Sequence, residues 1–212
     1  MKKQPQHIVY TTPVIEFVAV ANDFCTFLEE TSIHTKKGFL MKAQRYLPLL
    51  YLKTVLLPPL QNLLEEEPDK FVTEEDYELI REDIVKKLGR HDDYQEVFDP
   101  VRQETEGPVS RFISEDLADI YQDLKDFLML YRISNEDLMN DALLECVNNF
   151  EAYWGQQLVN VQRAIHGLLY SDEDIEEEEE DVNPEKPPDF KEMDTTNWII
   201  SQRFKDFKNK DE

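Results

Sequence analysis

Leu117, Ile120, Tyr121, Leu124, Phe127, Leu128 and Tyr131 fall at offsets 0, 3, 4, 7, 10, 11 and 14, the spacing of one apolar face of an α-helix. Such a helix is not stable with that face in water, so the pattern predicts a bundle in which other helices cover it. Val14, Phe17, Val18, Ala21, Phe24, Cys25 and Leu28 repeat the same offsets near the N-terminus. The residues differ between the two runs, so this reads as an ordinary core stripe and not as a duplication. A helix over 35–57 carries Leu40, Ala43, Leu47, Leu50 and Leu57, with Pro48 placed to kink or split it and Pro58-Pro59 to stop it. Thr73 opens another, with Asp76 completing a capping box, Tyr77, Ile80, Ile84 and Leu88 on its buried face, and Gly89 just past its end. The longest stripe runs through Met139, Ala142, Leu143, Cys146, Phe150, Tyr153, Trp154, Leu158, Val161, Ile165 and Leu168. It predicts a helix reaching Tyr170, about 50 Å long at 1.5 Å per residue, with Gly155 the place for a bend. Thr12 before Pro13, Ser114 before Glu115-Asp116, and Ser134 with Asp137 three positions on read as N-caps.

Between these helices, residues 90–113 are the least regular part of the body. Tyr94, Val97 and Phe98 favour burial, so this segment is expected to lie across the bundle. After Tyr170 the pattern changes. Residues 172–181 are nine acids and Ile175, and Pro184, Pro187 and Pro188 follow, a self-repelling linker without means of packing. Apolar residues then return as Trp198, Ile200, Phe204 and Phe207, interleaved with Arg203, Lys205, Lys208 and Lys210. The organisation expected is an all-α bundle over 1–170, an acidic flexible linker over 171–193, and a short amphipathic helix over 194–212.

The net charge is −23, unevenly spread. Residues 1–170 hold 30 acids against 17 bases, and 171–212 hold 16 against 6. Such a surface repels nucleic-acid phosphates and anionic lipid, and favours basic protein partners. No apolar run reaches 18 residues, and Pro13 and Glu16 interrupt the only segment resembling a signal peptide. Cys25 and Cys146 each fall in an apolar stripe, which suggests a reducing, cytoplasmic setting.

The run Glu96-Val-Phe-Asp-Pro100, followed by Ser114-Glu-Asp-Leu-Ala-Asp-Ile-Tyr-Gln-Asp-Leu124, resembles an uncharacterised bacterial family, a domain of unknown function frequent in Bacteroides-type bacteria. The resemblance is densest over 92–131 and extends over 14–170. It implies an all-helical soluble protein and brings no catalytic residue with it.

Glu74-Glu75-Asp76-Tyr77-Glu78 has the form E-E-x-x-E and Glu96-Val97-Phe98-Asp99 the form E-x-x-D, spelling similar to the Mg²⁺ site of all-α nucleotide pyrophosphohydrolases. Glu75, Glu78, Glu96 and Asp99 are the candidate ligands, since holding Mg²⁺ against a polyphosphate takes carboxylates converging from two elements. Against this, acids after Thr73 simply offset the helix dipole, and Pro100 disfavours a helix through Asp99. Asp116, Asp119, Asp123 and Asp126 flank the apolar face of their helix and read as a solvated charged stripe, so Asp126→Ala is expected to be near neutral. His91 with Asp92, Asp93 and Asp99 reads as loop capping. No Glu-x-x-His pair, glycine-rich phosphate loop or nucleophile elbow is present. The expectation is a non-catalytic protein-interaction or adaptor module without a cofactor, in which Trp198, Ile200, Phe204 and Phe207 form a hook that docks as a helix on the chain's own body, with docking on another protein the alternative. A Mg²⁺-dependent hydrolase is the alternative.

Overall fold

A computed structural model describes residues 7–64, 68–96 and 109–171, together with Ile175. The chain divides at Glu176, and every described residue lies in the unit Met1–Glu176. That unit is built of α1 (Thr12–Glu29), α2 (Lys36–Val55), α3 (Glu74–Leu88), a short ribbon of β1 (Asp93–Gln95) and β2 (Ser110–Phe112), then α4 (Ile113–Ile133), α5 (Glu136–Asn149) and α6 (Gly155–Leu169). It is an all-α bundle, and α4 is its centre, packing against α1, α3, α5 and α6, while α2 packs on α1 and α6. All seven stripe residues of α4 from Leu117 to Tyr131 are buried. The same core takes in Phe17, Phe24, Leu28, Ile84 and Leu143 from neighbouring helices, with the Phe17 and Phe127 rings 5.6 Å apart.

Capping differs in detail from the sequence expectation. Thr73 and Asp76 form the reciprocal box, and Gly89 follows α3 at φ 55, a left-handed conformation that glycine adopts without Cβ strain. At α1 the cap position is Thr11 instead of Thr12, and its hydroxyl donates back to the Ile8 carbonyl at 2.7 Å. At α5 the cap is Asn135 instead of Ser134, its side chain accepting from Leu138 N at 3.0 Å. Ser114 does not cap α4. Asp92, 22 residues earlier, accepts from Ser114 N at 2.8 Å and from its hydroxyl at 2.6 Å. A remote carboxylate thus satisfies the first turn and suits the positive end of the helix. The Asp92 carbonyl also accepts from Ile113 N at 2.8 Å.

Pro48 neither splits nor ends α2. It lies on the solvent side of the helix, where the carbonyl it leaves unpaired can be hydrated. The expected long helix does run from Glu136 to Leu169, but through a π-turn at Phe150–Trp154. Cys146, Phe150, Trp154 and Leu158 step by four residues through this turn, and Phe150 packs edge-on against Trp154 with ring centroids 4.6 Å apart. Trp154 is fully buried and donates from Nε1 to the Cys146 carbonyl at 3.1 Å. Tyr153, expected in the stripe, is instead 68% exposed. Gly155 is required here: a Cβ would lie 2.5 Å from the Phe150 carbonyl oxygen.

The irregular segment 90–113 contains the ribbon, with Asp93 opposite Phe112, Tyr94 opposite Arg111 and Gln95 opposite Ser110 in antiparallel register. Tyr94 is buried, as its side chain demanded. Val97 and Phe98 lie outside the described residues.

Candidate functional site

The four aspartates of α4 do not form a solvated face. Each accepts hydrogen bonds from a different segment of the chain. Asp116 is fully buried, taking the Tyr94 hydroxyl on one oxygen and Arg111 Nη2 at 2.6 Å on the other, which ties the ribbon to the helix. Asp119 accepts from the Tyr77 hydroxyl of α3 at 2.8 Å and from Gln157 Nε2 of α6 at 2.7 Å. Asp123 accepts from Asn149 Nδ2 of α5 at 2.6 Å. Asp126 is buried and accepts from the backbone of Phe71 at 2.7 Å and of Val72 at 2.9 Å. Asp141 of α5 does the same for Leu63 N at 2.9 Å and Leu64 N at 2.7 Å, while Asn140 donates to the Gln61 carbonyl at 2.7 Å. The segments on either side of residues 65–67 therefore hang on carboxylates, which replace the partners a strand or helix would have given their amides.

This network sets the electrostatics. Burial pushes the Asp116 carboxyl up, against the opposing hydrogen bonds of Tyr94 and Arg111. Burial likewise raises Asp123, opposed by the Asn149 amide. The phenols of Tyr77 and Tyr94 are raised by burial and by the carboxylate each one bonds. They remain neutral donors, which is their structural task.

One small polar cleft opens beside Asp123 and Asp126, lined also by Asp69, Lys70, Glu145 and Asn149. Lys70 bridges it, 2.8 Å from Glu145 and 4.0 Å from Asp126. Burial lowers the Lys70 ammonium, but its Glu145 hydrogen bond and the surrounding carboxylates outweigh that and raise it overall. Cys146 also borders the cleft, buried, with its thiol raised by desolvation, so it is a packing residue and not an activated nucleophile.

The candidate metal ligands from the sequence are dispersed in role. Glu75 sits in the first turn of α3. Glu78 is paired with Arg81 Nη2 at 2.6 Å. Glu96 follows the ribbon and accepts from Asn160 Nδ2 of α6 at 3.5 Å. Asp99 lies outside the described residues. Among the described residues, no three His, Cys, Asp or Glu side chains converge as a metal site. Trp198, Ile200, Phe204 and Phe207 also lie outside the described residues.

A surface that the periodicity reading did not single out lies on α2. Its buried face holds Phe39, Leu40, Ala43, Leu47, Leu50 and Thr54. The opposite face exposes Met41, Pro48, Leu49, Leu52 and Val55 and is continued by Leu56 just past the helix end, with Leu52 at 50% and Leu56 at 55% exposure. The signal was available: α2 carries more apolar positions than one helix face can bury.

The family match spans residues 8–171. The chain belongs to the family described as "Domain of unknown function (DUF5063)". It is also similar to the crystal structure of protein BF1032 from Bacteroides fragilis, a structural-genomics target, at 40% identity and a TM-score of 0.70, covering 78% of this chain and 98% of that one. No curated protein matches. The likeness bears out the resemblance carried by the Glu96–Pro100 and Ser114–Leu124 runs. The DUF5063 match stops where the acidic run begins. Among the described residues no helix is long and apolar enough to cross a membrane.

Proposed function

We propose that this DUF5063 protein is a non-catalytic protein-interaction module. The observation that carries the reading is the outer face of α2, where leucines and valine stand in solvent on a helix whose other face already fills the core. Contiguous exposed apolar side chains on a rigid helix are a docking surface in form. The interior carboxylates are engaged in holding loops, which supports a structural use for them. The C-terminal residues Trp198, Ile200, Phe204 and Phe207 supply a second anchor type, aromatic and basic in setting, for a protein partner. Function needs no cofactor in this reading. The buried free thiols Cys25 and Cys146 support a cytoplasmic setting.

Affinity capture with the full-length chain tests this, run beside a Leu52→Asp, Leu56→Asp variant and a Trp198→Ala, Phe204→Ala variant. A partner that rebinds in purified form and is lost with either variant is the expected result. The opposing outcome is turnover: Mg²⁺-dependent release of pyrophosphate from a nucleoside triphosphate, abolished by Glu78→Gln, would put the hydrolase reading first.

A further inference from the structure

The outer face of α2 has a charge as unusual as its hydrophobicity. Acids outnumber bases 46 to 23 in the whole chain, yet α2 carries Lys36, Lys37, Lys42, Arg45 and Lys53 and no acidic residue. Lys36 and Lys37 occupy its first turn, where the positive end of the helix dipole favours Asp or Glu. A local rule broken in this way costs stability and marks a position serving something else. Lys53 is tied to Glu16 at 2.8 Å and Lys42 contacts His34 at 3.4 Å. Lys37 and Arg45 are exposed and pair with no carboxylate among the described residues.

The helical spacing brings these groups together. At 100° per residue, Lys37, Met41, Arg45, Pro48, Leu49, Leu52, Val55 and Leu56 share one stripe about 120° wide, opposite the buried face. Its first half is basic and its second half apolar. From Lys37 to Leu56 it measures about 28 Å at 1.5 Å per residue, the footprint of a helix of five turns.

Resting on the interaction-module reading, we infer that the outer stripe of α2 docks an acidic amphipathic helix of a partner protein, its apolar side chains on Leu49, Leu52, Val55 and Leu56 and its carboxylates on Lys37 and Arg45. Whole-molecule charge favours basic partners, but the Debye length is about 8 Å at physiological salt, so a ligand no wider than one helix senses mainly α2 itself. An anionic bilayer is a plane that meets the rest of the acidic body as well, and the −23 net charge opposes it. A peptide-sized acidic ligand is therefore favoured over lipid.

The test uses the full-length chain and three labelled 18-residue helical peptides with an identical leucine stripe and an acidic, a neutral or a basic polar face, read by fluorescence anisotropy. The acidic peptide should bind at least tenfold tighter than the basic one and weaken with salt. Leu52→Asp and Arg45→Glu should each lower its affinity at least tenfold without changing the circular dichroism, and Arg45→Glu should shift preference toward the basic peptide. Equal or tighter binding of the basic peptide, still lost in Leu52→Asp, would overturn the acidic partner while leaving the module reading in place. Failure of all three peptides, with affinity capture also indifferent to Leu52 and Leu56, would overturn both. Three further results would overturn the acidic helix by giving the stripe to another occupant. They are a concentration-dependent dimer abolished by Leu52→Asp, binding to phosphatidylserine vesicles lost in Arg45→Glu, or peptide binding that appears only when residues 177–212 are removed.

Discussion

Replacing Asp126 with alanine removes one carboxylate and leaves two backbone N–H groups, those of Phe71 and Val72, without the acceptor that holds them at 2.7 and 2.9 Å. The amphipathic pattern of α4 places Asp126 beside the apolar face and predicts a nearly neutral substitution. The structure gives a different magnitude. Asp126 is buried, and its bonds run from neutral amides to a charged acceptor, the stronger class. An orphaned donor costs about 1–3 kcal/mol. Two orphans, partly rehydrated because Phe71 and Val72 are only half-buried, give a loss of about 2–4 kcal/mol, comparable to the roughly 2–5 kcal/mol expected for Leu124→Ala in the centre of the core. Urea unfolding of the wild type and both variants measures it through the midpoint at constant slope. Hydrogen exchange adds a local signature: the Phe71 and Val72 amides should lose protection beyond the global change. A loss within about 0.5 kcal/mol would refute the role given to Asp126, because it would mean the loop finds equivalent partners elsewhere.

Other expectations follow from the same interactions. Gly155→Ala puts a methyl group 2.5 Å from the Phe150 carbonyl oxygen and 2.9 Å from its ring, so the π-turn must shift at a cost of about 1–3 kcal/mol, read from thermal or urea melts. Asp92→Ala strips the first turn of α4 of its remote cap and should destabilise by about 2 kcal/mol in urea melts, whereas Ser134→Ala should lie within about 0.5 kcal/mol because Asn135 caps α5. Burial raises Asp123, so the native state holds its proton to higher pH than the unfolded chain, and its contribution to stability declines as pH rises through the interval between the two pKa values. Asp123→Asn cannot lose that proton. Its stability minus that of the wild type should therefore climb upward from about pH 4, and urea melts at stepped pH showing a flat or falling difference would contradict the assignment.

The helices were legible because burial imposes a period. The seven α4 offsets, the Thr73–Asp76 box and the glycine after Leu88 are local facts that tertiary structure left alone. What was not legible is non-local. Nothing adjacent to Ser114 announces that Asp92 will cap its helix, since that pairing exists only once the ribbon has folded back. The π-turn was not legible for a different reason: the positions from Cys146 to Leu158 fall within about 120°, a width that the face of a regular helix also covers. The outer face of α2 shows only in what remains once Leu40, Ala43, Leu47, Leu50 and Leu57 are given to the core side, a remainder that a search for one buried stripe passes over. Once Phe39 through Thr54 are buried on one side, Leu49, Leu52, Val55 and Leu56 have nowhere inward to point.

The α4 aspartates show why a polar stripe is an ambiguous signal. A face that meets water is usually built from Glu and Lys, good helix formers that pair at i and i+4. Here the four positions are all aspartate, a poor helix former with too short a side chain to pair well along its own helix. Asp is favoured where a carboxylate must stay close to its own backbone and accept from groups brought to it, as at caps and turns. Residue choice within the stripe therefore carried information that its periodicity did not. Reading it that way turns Asp116, Asp119, Asp123 and Asp126 from surface charge into the fixed points on which the ribbon, α3, the segment entering α3, and the α5–α6 helix are hung.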